Sequence, residues 1–189
     1  MDIKESIIKS TTELIEQNGG DLSAVTSRAI AEKSGIALGL INYHFKSKDK
    51  LIEVCVQRIA NKILFCFYSD DETGENAAEQ ERVLHRAQKV FDFFFNNKAI
   101  ARTFILSDMK DYKIKSNTGA VQSGLKLAMT GISGDKKRIM AFILTSVMES
   151  AFLTGDKSYD VLGYHLDNKL ERDLFLTEIV EMVYSGVGG

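Results

Sequence analysis

The chain has 189 residues, 44% of them hydrophobic, which is enough for a sizeable core and too many for a disordered chain. No apolar run reaches the roughly 18 residues that a membrane span needs, and the start lacks the basic-then-apolar pattern of a signal peptide, so a cytoplasmic protein with no membrane partner is expected. A net charge of −2 excludes a general polyanion-coating surface, yet residues 26–50 carry +3 and leave −5 on the rest, so a focused anion contact fits the charge pattern.

Proline is absent, strict apolar alternation is hard to find, and long segments repeat apolar residues every three or four positions; an all-α fold follows. Asp2 is placed to cap a first helix with an inward stripe of Ile3, Ile7, Ile8, Thr11, Leu14 and Ile15, which Asn18, Gly19 and Gly20 end. Thr26 is placed to cap a short helix to about Lys33. Ser34, Gly35 and Ile36 break it, and a second short helix runs from Ala37 to His44. Two short helices around a glycine-containing turn have the proportions of a helix-turn-helix. Ser47 then caps a long helix, with Asp49 in its first turn and Ile52, Cys55, Ile59, Ile63 and Phe67 as its stripe.

The acidic stretch from Ser69 to Asn76 is the candidate boundary in composition, while the domains proper divide near Asn61, giving 1–61 and 62–189. Further helices are expected near 78–97, 98–112, 117–131, 135–155 and 168–185, with Gly155 to Asp167 as the longest irregular connection. The last two helices are apolar around much of their circumference. Ile143, Val147 and Ala151 on one, and Ile179, Val180 and Val183 on the other, are the candidate dimer-interface residues, with Arg138, Thr145 and Glu149 as a narrow polar edge. Packing on two sides suits either a symmetric four-helix dimer interface or the centre of a larger monomeric core.

Cys55 and Cys66 lie in apolar helical stretches without C-x-x-C spacing, which points to burial rather than a disulfide or a metal site. A di-metal bundle enzyme needs Glu three residues before its histidines; His44, His85 and His165 have Ile41, Arg82 and Leu162 there. No nucleophile elbow, phosphate-binding loop or dinucleotide glycine motif is present, so neither enzyme activity nor a cofactor is expected.

Within residues 26–51, Thr26, Ile30, Ala31, Gly35, Ile36, Gly39, Ile41, Asn42, His44, Phe45, Lys48 and Leu51 fall at fixed spacing, and this pattern resembles the DNA-binding signature of the TetR/AcrR family. Ile30, Ala31, Ile36, Ile41 and Phe45 are spaced to close a small core, and Gly35 supplies the positive φ of the turn. The outward set is Thr26, Arg28, Leu38, Gly39, Asn42, Tyr43, His44, Lys46 and Lys48, which mixes phosphate-type donors with side chains that suit base edges.

The resemblance implies that Thr26, His44 and Lys48 anchor phosphates, with Tyr43 in the same row, while Leu38, Gly39 and Asn42 face the groove. Asn42 suits adenine among several pairings. A helix C-terminal cap is the alternative role for His44, and packing on the first helix is the alternative for Tyr43. Two positions depart from the family's pattern: Ala37 stands where a capping Ser or Thr is usual, and Asn42 where tyrosine is commonest.

The resemblance further implies an all-α regulator with an N-terminal three-helix DNA-binding domain and a larger helical domain for effector binding and dimerisation. Its expected partners are double-stranded DNA with an inverted-repeat operator, a second copy of the chain, and a small, largely apolar effector that releases the repressor. Phe94, Phe104, Met109, Tyr112 and Met129 are the candidate effector-binding residues, and ordinary core packing is the alternative for each. A helix-turn-helix that serves protein interaction instead is the competing function; its binding would lack the salt dependence of phosphate contacts.

Overall fold

The computed structural model describes residues 2–69, 77–113 and 116–186, the side chains of 63–69 excepted. Residues 70–76 of the expected acidic boundary, and the side chains of Ile63, Cys66 and Phe67, lie outside the described residues. The elements are α1 (Ile3–Gln17), α2 (Ser27–Ser34), α3 (Gly39–Phe45), α4 (Lys48–Ser69), α5 (Glu79–Asn96), α6 (Lys98–Lys110), α7 (Asn117–Ala128), α8 (Gly134–Leu153), α9 (Ser158–Leu162) and α10 (Lys169–Ser185). Among the described residues there is no strand, and no single helix is long and apolar enough to cross a membrane.

Two compact units divide the chain. The first takes in Met1–Lys62 and Asn97–Tyr112, the second Ile63–Asn96 and Lys113–Gly189. Contiguity along the chain therefore does not define the first unit: α6, which the sequence assigns to 62–189, clusters with the N-terminal helices.

In the first unit the helix starts are those the capping residues dictate. Asp2 Oδ1 accepts from the Lys4 N–H at 3.2 Å, Thr26 Oγ1 from Ala29 at 3.2 Å, and Ser47 Oγ from Lys50 at 3.2 Å. Each such cap stabilises its helix by about 1 kcal/mol. α1 packs on α2, and its stripe of Ile7, Ile8, Thr11 and Ile15 is buried, with the Thr11 hydroxyl donating to the Ile7 carbonyl at 2.8 Å. Ile3, expected in that stripe, is exposed because it opens the helix a full turn before the buried set. Cys55 is fully buried, and its thiol lies 3.6 Å from the Ile8 carbonyl; desolvation is the main reason its pKa is pushed up to about 11.

In the second unit α5 packs against α7, α8 and α10, and α8 against α7 and α10. Phe91 sits among Phe94, Phe95 and Phe175, at centroid distances of 6.2, 5.1 and 6.1 Å, and Phe152 of α8 meets Phe95 edge-on and Phe94 at a tilt. Arg172 is held beside this cluster. Its guanidinium lies 4.7 Å from the Phe95 centroid, donates to the Leu166 and Asp167 carbonyls at 3.0 Å each, and reaches Asp92 at 2.9 Å. Desolvation opposes ionisation of Asp92, but hydrogen bonds from Lys169 and Arg172 outweigh it and hold the carboxyl below its ordinary pKa.

The connection from 155 to 167 is helical over its first eight residues, 155–162. It forms a 3₁₀ turn at Gly155–Lys157 and then α9, closed where the Leu166 N–H donates to Ser158 Oγ at 3.2 Å. A five-residue helix is too short to leave a periodic apolar signal.

The orientation of α8 differs from the sequence expectation. Thr145 and Glu149, expected on a polar edge, are buried, whereas Ile139, Phe142 and Ile143 stand exposed. A helix that is apolar on several sides does not reveal its inward face by periodicity alone. The carboxylate of Glu149 finds a partner on the neighbouring helix, accepting from Thr118 Oγ1 at 2.7 Å.

Candidate nucleic-acid interface

α2 ends at Gly35, whose φ of 65° and ψ of 34° are left-handed; the Ile36 N–H returns to the Ala31 carbonyl at 3.0 Å. This closes the helix with glycine in a conformation that costs other residues strain. α3 then spans Gly39–Phe45 and buries Ile41 and Phe45. Its first turn has no side-chain cap, as Ala37 in place of Ser or Thr leads one to expect. Lys46 follows with a φ of 69°, rare for a residue with a Cβ, and its N–H bonds the Asn42 carbonyl at 2.9 Å. That sharp exit places Ser47 to cap α4 directly.

The side chains left outside by this packing are those the sequence singled out. Thr26, Arg28, Leu38, Gly39, Asn42, Tyr43 and Lys46 are exposed, while His44 and Lys48 are half-buried. Tyr43 is 81% exposed, so it does not pack on α1; its ring meets the edge of His44 at 5.0 Å. Among the described residues Arg28, Lys46 and Lys48 form no ion pair, whereas Lys33 is 3.3 Å from Glu13 and Lys50 2.6 Å from Glu53. The uncommitted positive charge thus sits at the start of α2 and just beyond α3. This arrangement suits phosphates on either side of a helix whose exposed face meets base edges.

Gly39 carries a further signal. A Cβ built there meets no atom of the chain within 4 Å, and its φ is not positive. Neither the packing nor the backbone of this chain needs glycine at that point, where it weakens the helix relative to alanine. Gly39→Ala is therefore expected to stabilise the protein, by up to about 1 kcal/mol, and to weaken operator binding. Thermal unfolding and a binding titration on the same sample check the pair; a variant that is more stable and binds DNA unchanged would contradict a close approach at Gly39.

Residues 7–55 match the family model described as bacterial regulatory proteins, tetR family. The matched segment runs from α1 through α3 into α4, and it is this part of the chain that carries the tetR-family pattern. An uncharacterised HTH-type transcriptional regulator of Haemophilus influenzae is 25% identical over 125 residues, which are 66% of this chain and 62% of the length of that relative. Among solved structures, a TetR transcriptional regulator of Streptomyces coelicolor superposes with a TM-score of 0.62 at 15% identity, over 97% of this chain and 96% of that one. The regulator FadR of Bacillus subtilis, solved with stearoyl-CoA, gives 0.50 at 16% identity, over 96% and 98%. The likeness of fold to these two structures thus extends over nearly the whole chain. All three of these proteins are transcriptional regulators.

The other sequence-selected residues are dispersed. Phe94 and Met129 are buried in the second unit and Phe104 in the first. Met109 and Tyr112 are more than half exposed: α6 turns Ile105 and Asp108 inward, which leaves Met109 on its outer side, and Tyr112 lies beyond the helix end. Phe94 is packed between Phe91, Phe93 and Phe152 as part of the aromatic core.

Of the interface candidates, Ala151 and Val180 are buried within the chain. Val147, Ile179 and Val183 are half-buried, and Ile143 is exposed. An apolar groove between α8 and α10 is lined by Ile139, Ile143, Met182 and Val183. Sequence reasoning missed the buried polar residues Asn117 and Thr118, and placed Thr145 and Glu149 on a polar edge rather than in the interior. Asn117 reads in sequence as a helix-start residue, and only burial distinguishes it.

Proposed function

We propose that the chain is a cytoplasmic, sequence-specific DNA-binding repressor. It would bind an inverted-repeat operator as a homodimer, with α3 in the major groove, and leave the operator when a small, largely apolar effector binds the second unit. The observation that carries this reading is the exposed row on α2 and α3: Asn42 and Leu38 beside an unhindered Gly39, flanked by the free cations Arg28, Lys46 and Lys48. Repression follows as the simplest consequence of occupying an operator. Support for an effector comes from the stearoyl-CoA bound to the Bacillus subtilis relative.

A second copy of the chain is the occupant proposed for the groove of Ile139, Ile143, Met182 and Val183. Selection from a random duplex pool is expected to return an inverted repeat, with half-sites spaced as the two reading heads are. Ile143→Glu combined with Met182→Glu is expected to give folded monomers in sedimentation and to weaken binding to the full repeat by about 100-fold, as bivalency is lost. A wild-type monomer at micromolar concentration, with selected sites that are single and asymmetric, would contradict the dimeric mode.

A further inference from the structure

Lys4 stands at the start of α1, exposed, and precedes the segment that carries the tetR-family pattern. Its ammonium lies 5.7 Å from the ring centroid of Phe45, the last residue of α3. The fold thereby brings a cation from the first turn of α1 to the end of the helix whose outer face carries Asn42 and Tyr43. Lys46, which follows Phe45, is also exposed, and Lys48 opens α4 just beyond it. Three lysines from two parts of the chain thus gather at one end of α3.

Two acidic neighbours of Lys4 are committed elsewhere. The Asp2 carboxylate caps α1, accepting from the Lys4 backbone N–H at 3.2 Å, where the positive end of the helix dipole favours it. The Glu5 carboxylate takes both Nη atoms of Arg58 of α4, at 2.7 and 2.9 Å, a two-pronged pairing that holds it away from Lys4. Among the described residues Lys4 forms no ion pair, and its ammonium makes no hydrogen bond. An aromatic face attracts an ammonium without neutralising it and leaves its N–H donors to another acceptor. The charge of Lys4 is therefore held in place by the Phe45 ring and stays available to an anion.

We infer that Lys4 is a further DNA contact: it binds a backbone phosphate at the end of α3 marked by Lys46 and Lys48, from outside the helix-turn-helix, and Phe45 positions it there. This rests on the reading of α3 as the helix that enters the major groove. It deepens that reading by adding a phosphate site that α1 supplies, one that contributes affinity for any duplex and no choice of sequence.

The test titrates operator and scrambled duplexes with the full chain at several salt concentrations, and compares Lys4→Met, Lys4→Arg, Lys9→Met and Lys48→Ala with wild type. Methionine keeps an unbranched apolar stem over the Phe45 ring and removes the charge, so Lys4→Met is expected to melt with wild type. It is expected to weaken both duplexes by the same factor. That factor is expected to shrink about 3.5-fold per reading head when salt is raised about fourfold, as the loss of one phosphate contact implies. Lys4→Arg is expected to keep the wild-type salt slope, and so is Lys9→Met, which removes an exposed charge further along α1. An unchanged slope in Lys4→Met beside a flattened one in Lys48→Ala overturns the inference and leaves the reading of α3 standing, whether or not the variant melts lower. Equal flattening in Lys9→Met also overturns it, since net charge rather than a seated contact then sets the slope. Unchanged slopes in Lys4→Met and Lys48→Ala together overturn that reading, and the inference with it.

Discussion

Phe45→Ala is expected to destabilise the first unit by about 3–5 kcal/mol and to abolish specific DNA binding. Phe45 is the last residue of α3 and is only 6% exposed, within a core that includes the fully buried Ile30 and Leu51 and the nearly inaccessible Ile41. The ring also lies 5.7 Å from the Lys4 ammonium, which covers its open side. A seven-residue helix has little stability of its own, so α3 keeps its place through the two apolar side chains it buries. Removing one leaves a cavity that a chain with a total stability of about 5–15 kcal/mol tolerates poorly. Phe45→Leu, which keeps most of the volume, should cost less than about 1.5 kcal/mol and retain binding. Urea unfolding followed by circular dichroism, read beside a DNA titration, separates these outcomes. A Phe45→Ala variant that unfolds at the wild-type midpoint would show that the ring does not hold α3.

The second large effect is expected at Arg172. Arg172→Ala removes donors from the Leu166 and Asp167 carbonyls and one of the two cations on Asp92, and it strips the cationic cover from Phe95. Breaking a buried, hydrogen-bonded ion pair from one side costs about 3–5 kcal/mol; Lys169, 2.8 Å from Asp92, keeps this case near the lower end. Arg172→Lys should recover only part of the loss, since an ammonium does not reproduce the fork that holds two carbonyls and a carboxylate.

The same network sets a pH dependence. Asp92 has a depressed pKa in the fold, so its stabilisation is present above the ordinary carboxylate pKa of about 4 and is lost as pH falls through the folded value. Wild type should therefore lose more stability on acidification than Arg172→Ala does. Equal acid sensitivity of the two proteins would contradict the coupling between Asp92 and Arg172.

Much of this architecture is legible in the amino-acid order because it is local. Asp2, Thr26 and Ser47 each name the helix start that their side chains cap. Gly35 marks the turn, and the dozen spaced residues from Thr26 to Leu51 mark α2 and α3 as a helix-turn-helix. What is not legible depends on which neighbour a face meets. The circumference of α8 is apolar enough that either side suits a core, and burial of Thr145 and Glu149 is decided by the neighbouring helix, where Thr118 supplies a donor. Val180 and Ala151 were plausible contacts for a partner subunit on pattern alone, but helices of the same chain cover them. Likewise, no periodicity could place Asn97–Tyr112 with the first unit, because that grouping is made by contacts distant in sequence.

The central claim is that the exposed face of α3 reads bases while the flanking cations hold phosphates, and binding titrations of Asn42→Ala and Lys48→Ala on operator and scrambled duplexes at several salt concentrations test it most directly. Lys48→Ala is expected to weaken both duplexes alike and to flatten the salt dependence by about one unit of slope per reading head. Asn42→Ala is expected to leave the slope unchanged and to narrow the gap between operator and scrambled DNA by about 1–3 kcal/mol. If Lys48→Ala changes neither affinity nor slope, and Asn42→Ala leaves the gap intact, the exposed face of α3 is not the surface that reads DNA.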